Sequence, residues 1–116
     1  MRKYLFIDDD GNLLRAIQRG LSECGNVFFA ECHSVNEALA AIRKHLPDVI
    51  FLDHHLTDRG EEGFAIADQV QGITIYTTTT NDDAVAVYKQ RGIASVSKRS
   101  TLAEFRSIIN QSSATQ

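Results

Sequence analysis

The sequence has few of the residues that mark special classes of protein. Its 116 residues include one proline, two cysteines and no tryptophan. Cys24 and Cys32 fit no metal-ligand spacing with each other or with His33, so reduced thiols in a cytoplasmic protein are expected. Lysine and arginine form no cluster, which argues against nucleic-acid binding through a basic face.

Long hydrophobic runs are also missing. No segment approaches the roughly 20 apolar residues of a membrane span, and the apolar part of "MRKYLFIDDD" is too short for a signal peptide. Hydrophobic residues make up 43% of the chain, charged residues make up 23%, and the formal net charge is -3. We therefore expect a single domain over residues 1–116 with no membrane partner, whose polar end at 111–116 is frayed.

Short apolar segments alternate along the chain with amphipathic ones. The predicted strands are "KYLFID", "VFFA", "DVIFLD", "ITIYT" and "IASVSK". The predicted helices are "NLLRAIQRGLSEC", "SVNEALAAIRKHL", "GFAIADQV", "NDDAVAVYKQRG" and "TLAEFRSIIN". Ser34 with Glu37, and Thr101 with Glu104, have capping-box spacing, and the apolar stripe of the second helix runs to Leu46, before Pro47. Strands separated by helices predict a parallel sheet that is covered on both faces.

Polar side chains stand where four of these strands end. They are Asp8, Asp9 and Asp10 after the first strand, Asp53 after the third, Thr77 or Thr78 after the fourth, and Lys98 after the fifth. Ligands of such sheets bind beyond the carboxyl ends of the central strands, so these groups are expected to converge. Asp10 is also placed to cap the helix that follows it.

The residue types in this group point to phosphate chemistry. Crowded carboxylates repel one another, and a divalent cation such as Mg²⁺, which prefers hard oxygen ligands, relieves that repulsion. A lysine and a hydroxyl suit the oxygens of a phosphoryl group. Phosphoryl transfer to an aspartate uses all of these parts.

In order and position, these residues resemble the receiver domain of two-component response regulators over nearly the whole chain. "YLFIDDD" resembles the strand with the acidic pair, "PDVIFLD" the strand with the phosphoacceptor, and "TIYT" the strand with a threonine or serine. The resemblance implies a flavodoxin-like α/β fold: a doubly wound, five-stranded parallel sheet of order 2-1-3-4-5 with five helices. It also implies that Asp53 accepts the phosphoryl group, which Thr77 and Lys98 contact, and that Mg²⁺ binds Asp8, Asp9, Asp53 and the backbone carbonyl of His55.

The function implied by this resemblance is signalling by a single-domain response regulator. A histidine kinase or a histidine phosphotransfer protein would donate the phosphoryl group. A downstream protein would bind the face made of the fourth helix, the fifth strand and the fifth helix, and the chain would be a monomer or a weak dimer. No enzyme activity is expected beyond self-catalysed phosphoryl acceptance and autodephosphorylation.

Several features depart from the family pattern. Arg99 replaces the proline that usually follows the lysine, Thr57 stands where a proline is common four residues after the acceptor, and the usual aromatic residue is missing at Ser95 and Val96. These departures favour an alternative, a receiver-fold interaction module that phosphate does not switch.

A minor alternative is a metal-dependent phosphoesterase, which the run Asp53-His54-His55 suggests. The two histidines are expected instead to be loop residues that control water access to Asp53 and contact with partners. Tyr76 and Tyr88 are expected to be packing residues, and no functional role is assigned to either.

Overall fold

The predicted strands pair into one parallel sheet, in a computed structural model that describes residues 2–97 and 102–114, apart from the side chains of 112–114. The strands are β1 (Tyr4–Asp8), β2 (Val27–Glu31), β3 (Val49–Leu52), β4 (Thr74–Thr77) and β5 (Ala94–Ser95). Their order is β2-β1-β3-β4-β5, and all four neighbouring pairs are parallel. The predicted fold class, including the strand order, is confirmed. The central strands β1 and β3 are buried along their whole length, as their unbroken apolar sequences require.

A helix follows each strand. The helices are α1 (Gly11–Gly20), α2 (Val35–His45), α3 (Glu62–Gln69), α4 (Asp82–Gln90) and α5 (Ala103–Ala114). Side chains cap the first, second and fourth helices: Asp10, Ser34 and Asn81 accept hydrogen bonds from backbone N–H groups of the first turn. The predicted cap at Asp10 is therefore confirmed. The Ser34 cap is confirmed as well, although the Glu37 carboxylate accepts from the His33 N–H.

The sheet separates two hydrophobic layers. On one face, Phe6 and Phe51 stack with their ring centroids 4.5 Å apart, and Phe105 of α5 meets both edge-on. Residues of α1 join this layer. On the other face, Ile7 and Leu52 pack with residues of α2 and α3. Neighbouring residues of one strand thus enter opposite layers, which fixes the direction of every side chain up to the strand ends.

Several boundaries differ from the predicted ones. α1 ends at Gly20, four residues early, because glycine is a poor helix former and the chain turns there. β5 is limited to two residues, and α5 continues to Ala114 through most of the polar tail that was expected to be frayed. Thr101 lies outside the described residues. No helix within the described ranges is both long and apolar enough to cross a membrane.

Leu46 is the clearest correction to the predicted core. It was expected in the apolar stripe of α2, but it caps that helix with φ 51° and ψ 55°, and its side chain is 69% exposed. The left-handed turn that ends α2 before Pro47 swings the residue away from the buried face, so the stripe ends at Ile42.

Replacing Leu46 with glycine should stabilise the protein. A non-glycine residue in the left-handed region costs about 1–2 kcal/mol, and part of that cost is offset by the greater freedom of glycine in the unfolded chain. Leu46→Gly should therefore raise the free energy of unfolding by about 0.5–1 kcal/mol in urea denaturation. Leu46→Ala is the matched control, since it removes the same exposed side chain but keeps the Cβ. An equal gain in both variants would contradict the backbone explanation.

Candidate functional site

Three aspartates meet where β1 and β3 end. Asp8 and Asp53 are both buried, and Asp9 is half-buried. Asp8, Asp9 and Asp53 each offer a carboxylate oxygen, and these oxygens lie within 4.8 Å of one another. The fold creates this proximity because the Asp53 N–H donates to the Ile7 carbonyl, which sets Asp53 level with Asp8. Asp10 does not join the group; its own N–H donates to Asp8 and its side chain caps α1.

An open cleft of about 530 Å³ lies above these aspartates. Its lining is almost entirely polar: Asp9, Asp53, His55, Thr57, Asp58, Thr79, Thr80 and Asn81. The cleft is formed by the two loops that follow β3 and β4, and it leaves Asp53 accessible at its floor although the rest of that residue is buried. The arrangement can hold a hard cation and still admit a small anion from solvent.

The loop after β3 is held in shape by Glu62, at the start of α3. Its carboxylate accepts hydrogen bonds from the Leu56 N–H at 2.9 Å, the Thr57 N–H at 3.2 Å and the Thr57 hydroxyl at 2.9 Å. Partial burial disfavours the ionised carboxylate, yet these hydrogen bonds prevail and lower the pKa of Glu62. A proline at position 57 has no N–H and could not make this contact.

The two threonines at the end of β4 have different surroundings. The Thr77 side chain accepts a hydrogen bond from the Thr79 N–H and lies against the Tyr88 hydroxyl. Thr78 is also buried, but its hydroxyl has no hydrogen-bond partner among the residues that the structure describes. Thr77 pairs with Leu52, and the Thr78 N–H donates to the Leu52 carbonyl, so Thr78 stands level with Asp53.

Next to Asp53, His54 lies in the loop after β3, as expected, but it is buried, which leaves little of its surface for the expected contact with partners. Its Nδ1 lies 2.8 Å from the hydroxyl of Tyr88, a fully buried residue of α4. Burial lowers the pKa of His54, and it raises the pKa of Tyr88. With Nδ1 unprotonated, the Tyr88 hydroxyl donates to His54. Tyr88 was assigned no role from the sequence.

The remaining predicted residues divide into two groups. His55 lines the cleft, and its Nδ1 contacts the Gly60 carbonyl at 2.5 Å; the metal contact implied for its own backbone carbonyl stays a prediction. Lys98 and Arg99 lie outside the described residues, and the lysine assignment stays a prediction.

Glu62 and Tyr88 were missed, because each acts through contacts made many residues away along the chain.

The strand order and the acidic edge together define the receiver fold of response regulators. No protein-family profile matches the sequence, and no curated protein matches it. Solved structures do match it: most of the similar ones are receiver domains of response regulators, with TM-scores around 0.7 over nearly the whole chain.

Three of these structures illustrate the likeness. The signal receiver domain of a DNA-binding response regulator from Colwellia psychrerythraea is 20% identical with a TM-score of 0.77, over 96% of this chain and 97% of that one. The BeF3-activated receiver domain of Klebsiella pneumoniae RstA is 20% identical with a TM-score of 0.71, over 94% and 96%. A structure of adenylate cyclase from Rhodopirellula baltica is 27% identical with a TM-score of 0.75, over 95% and 85%. At 20% identity such likeness shows a shared fold.

Gly63 makes the packing of Tyr88 possible, and its substitution tests that packing. A Cβ at position 63 would overlap the Tyr88 hydroxyl and lie 2.9 Å from the His54 Cα. Gly63→Ala should therefore lower the free energy of unfolding by about 1–3 kcal/mol, as overpacking of a buried site does. Gly25→Ala is the matched control, since a Cβ there meets nothing within 4 Å. Equal urea midpoints for the two variants would show that Tyr88 is not held in this position.

Proposed function

We propose that this protein is a single-domain response regulator receiver that accepts a phosphoryl group on Asp53 in a Mg²⁺-dependent reaction. The observation that carries the proposal is the group formed by Asp8, Asp9 and Asp53, whose oxygens converge at the open edge of a receiver fold. Asp9 and Asp53 both line the cleft, and Asp53 follows β3, the position at which the resemblance to receiver domains puts the phosphoacceptor.

The donor set fits Mg²⁺. Three carboxylate oxygens within 4.8 Å of one another are hard ligands at a separation that one small cation can span, and the open cleft leaves room for its waters. Asp8, Asp9 and Asp53, with the backbone carbonyl of His55, would hold the ion. When bound, Mg²⁺ neutralises the charge on the phosphoryl oxygens and relieves the repulsion among the three carboxylates.

The chain's own groups supply the rest of the reaction. A carboxylate oxygen of Asp53 attacks the phosphorus of a phosphohistidine, the new O–P bond forms, and the P–N bond to the imidazole breaks with its electron pair leaving on nitrogen. A hydroxyl group at the end of β4 would contact one of the phosphoryl oxygens. We assign this contact to Thr78, because its buried hydroxyl has no partner among the described residues and Thr78 stands level with Asp53. Lys98 would bind another of these oxygens.

The partners in this proposal are a histidine kinase or a histidine phosphotransfer protein as donor and a downstream protein as target. The target would bind the face of α4, β5 and α5, where both residues of β5 are exposed. A cytoplasmic location goes with the proposal, because neither cysteine is in a disulfide. Self-catalysed dephosphorylation of Asp53 by water in the open cleft would end the signal.

The second candidate is a receiver-fold module that binds partners without being switched by phosphate. The absence of an aromatic residue at Ser95 and Val96 favours it, because that part of β5 carries no ring that could follow the threonine. The third, a metal-dependent phosphoesterase, has less support. Within the described ranges the group that could hold a metal consists of three aspartates, and the His54 Nδ1 is engaged by Tyr88.

Phosphorylation should be visible by intact mass. Incubation with acetyl phosphate and Mg²⁺ should add the mass of one phosphoryl group to the wild type, and the gain should disappear in Asp53→Asn and when EDTA removes the metal. Asp10→Asn is the matched acidic control: it keeps a capping side chain outside the metal group and should be phosphorylated normally. Absence of any gain, with histidine phosphotransfer proteins also failing as donors, would favour the unswitched module.

The two threonines should differ in their effect on a phosphoryl analogue. Loss of a hydrogen bond to a charged oxygen costs about 1.5–3 kcal/mol, so Thr78→Val should weaken beryllofluoride binding with Mg²⁺ by about tenfold or more. Thr77→Val, a change of the same shape one residue away, should leave the affinity within about threefold, which is less than 1 kcal/mol. The opposite ranking in a fluorescence or NMR titration would support the sequence-based assignment to Thr77.

A further inference from the structure

The hydroxyl of Tyr88 makes a buried contact between α4 and the residue that follows Asp53, the proposed phosphoacceptor. We propose that Tyr88 is a positioning residue that couples the state of Asp53 to α4 through Thr77 and His54. Tyr88 would thereby supply, from α4, the ring that follows the threonine, which β5 lacks. This inference rests on the proposed function, since it concerns how the phosphorylated site is read.

The first step of the argument is where the hydroxyl lies. Tyr88 is fully buried, and its oxygen is 2.8 Å from the His54 Nδ1 and lies beside the Thr77 side chain. His54 is the residue after the phosphoacceptor, and Thr77 is the residue before Thr78. One peptide bond therefore separates each partner of Tyr88 from a residue that faces the phosphoryl group.

The second step is that the chain leaves a space for this hydroxyl. At the position of Gly63, at the start of α3, any side chain would overlap it. The Gly63 N–H donates to the His54 carbonyl at 2.9 Å, so the same glycine also fixes the main chain beside Asp53. The rings of His54 and Phe64 surround the tyrosine, with centroids 5.4 Å and 4.7 Å from its own. Because Tyr88 packs closely against Gly63, His54 and Phe64, we expect it to move with them.

The third step is what Tyr88 moves. Its carbonyl accepts from the N–H groups of Arg91 and Ile93, and therefore ties the end of α4 to the approach to β5. Arg91 stands over the Phe64 ring at 4.8 Å and pairs with Asp68 of α3 at 3.1 Å. Displacement of Tyr88 would therefore change the contact between α3 and α4 and the adjoining end of α4.

The coupling depends on the hydroxyl and not only on the ring. When Thr78 and the main chain at Asp53 adjust to a phosphoryl group, Thr77 and His54 change their contacts with the Tyr88 hydroxyl, and the tyrosine follows. A differential contact of this kind is what allows a ligand at one site to shift the equilibrium at another. Tyr88→Phe keeps the ring and removes the hydroxyl that contacts His54 and Thr77, so it isolates this link.

The test is an amide NMR titration of the full chain with Mg²⁺ and beryllofluoride. In the wild type, we expect shifts both at the site, residues 8–10 and 53–55, and along 82–90 of α4. Tyr88→Phe should keep the shifts at the site and lose those of α4. Tyr76→Phe is the matched control: its ring stacks on Phe51 in the opposite layer, and the response of α4 should remain. Thr77→Val removes the contact between Thr77 and the Tyr88 hydroxyl. It serves as the test variant if Tyr88→Phe does not fold.

The possible outcomes separate the inference from the proposed function. Shifts of α4 that persist in Tyr88→Phe, or in Thr77→Val where that variant decides, would overturn the inference and leave the proposed function intact. A wild type with shifts at the site and none along α4 would also overturn the inference and leave the proposed function intact. A wild type without shifts at the site would overturn the proposed function, and the inference with it.

Discussion

The parallel register of β1, β3 and β4 is the constraint on which the site depends. The Asp53 N–H donates to the Ile7 carbonyl and the Thr78 N–H donates to the Leu52 carbonyl, so the residues after the strands stand level with one another. Adjacent strands are about 4.8 Å apart, so level positions bring polar groups into contact without any local motif. The carboxylates repel one another, and the two hydrophobic layers on either side of the sheet hold them in place.

Burial explains how much of the fold could be predicted from the sequence. β1 and β3 are covered on both faces, so their sequences are apolar throughout and cannot be mistaken for surface strands. The caps at Asp10 and Ser34 could also be predicted, because each depends only on residues within one turn of the chain. Leu46 could not be predicted in this way, because its apolar side chain fits the helical stripe while the left-handed turn that removes it is set by the chain beyond α2.

The site shows the same division between local and distant causes. Asp8, Asp9 and Asp53 could be predicted because each follows a recognisable strand. The assignment between Thr77 and Thr78 depends on a shift of one residue in register, which reverses the face of every side chain. Glu62 and Tyr88 depend on contacts across loops and between helices, and neither produces a pattern in the sequence. The only signal for Tyr88 was indirect: an aromatic residue was missing from β5, and Gly63 stood in the first turn of a helix.

The contact of Glu62, where a proline is usual, and the proposed role of Tyr88, where a ring on β5 is usual, follow one physical rule. A proline shapes a loop by restricting the backbone, and Glu62 holds the same loop by accepting hydrogen bonds from the Thr57 N–H and hydroxyl, which a proline could not donate. A ring on β5 would sense a threonine through packing, which tolerates small movements in any direction. Tyr88 instead makes a hydrogen bond to His54, beside Thr77, and a hydrogen bond weakens steeply when its angle changes. In both places a directional polar contact stands where a steric one is usual, so in this receiver fold the response to phosphate would depend on the orientation of a few buried dipoles rather than on the rotation of a ring.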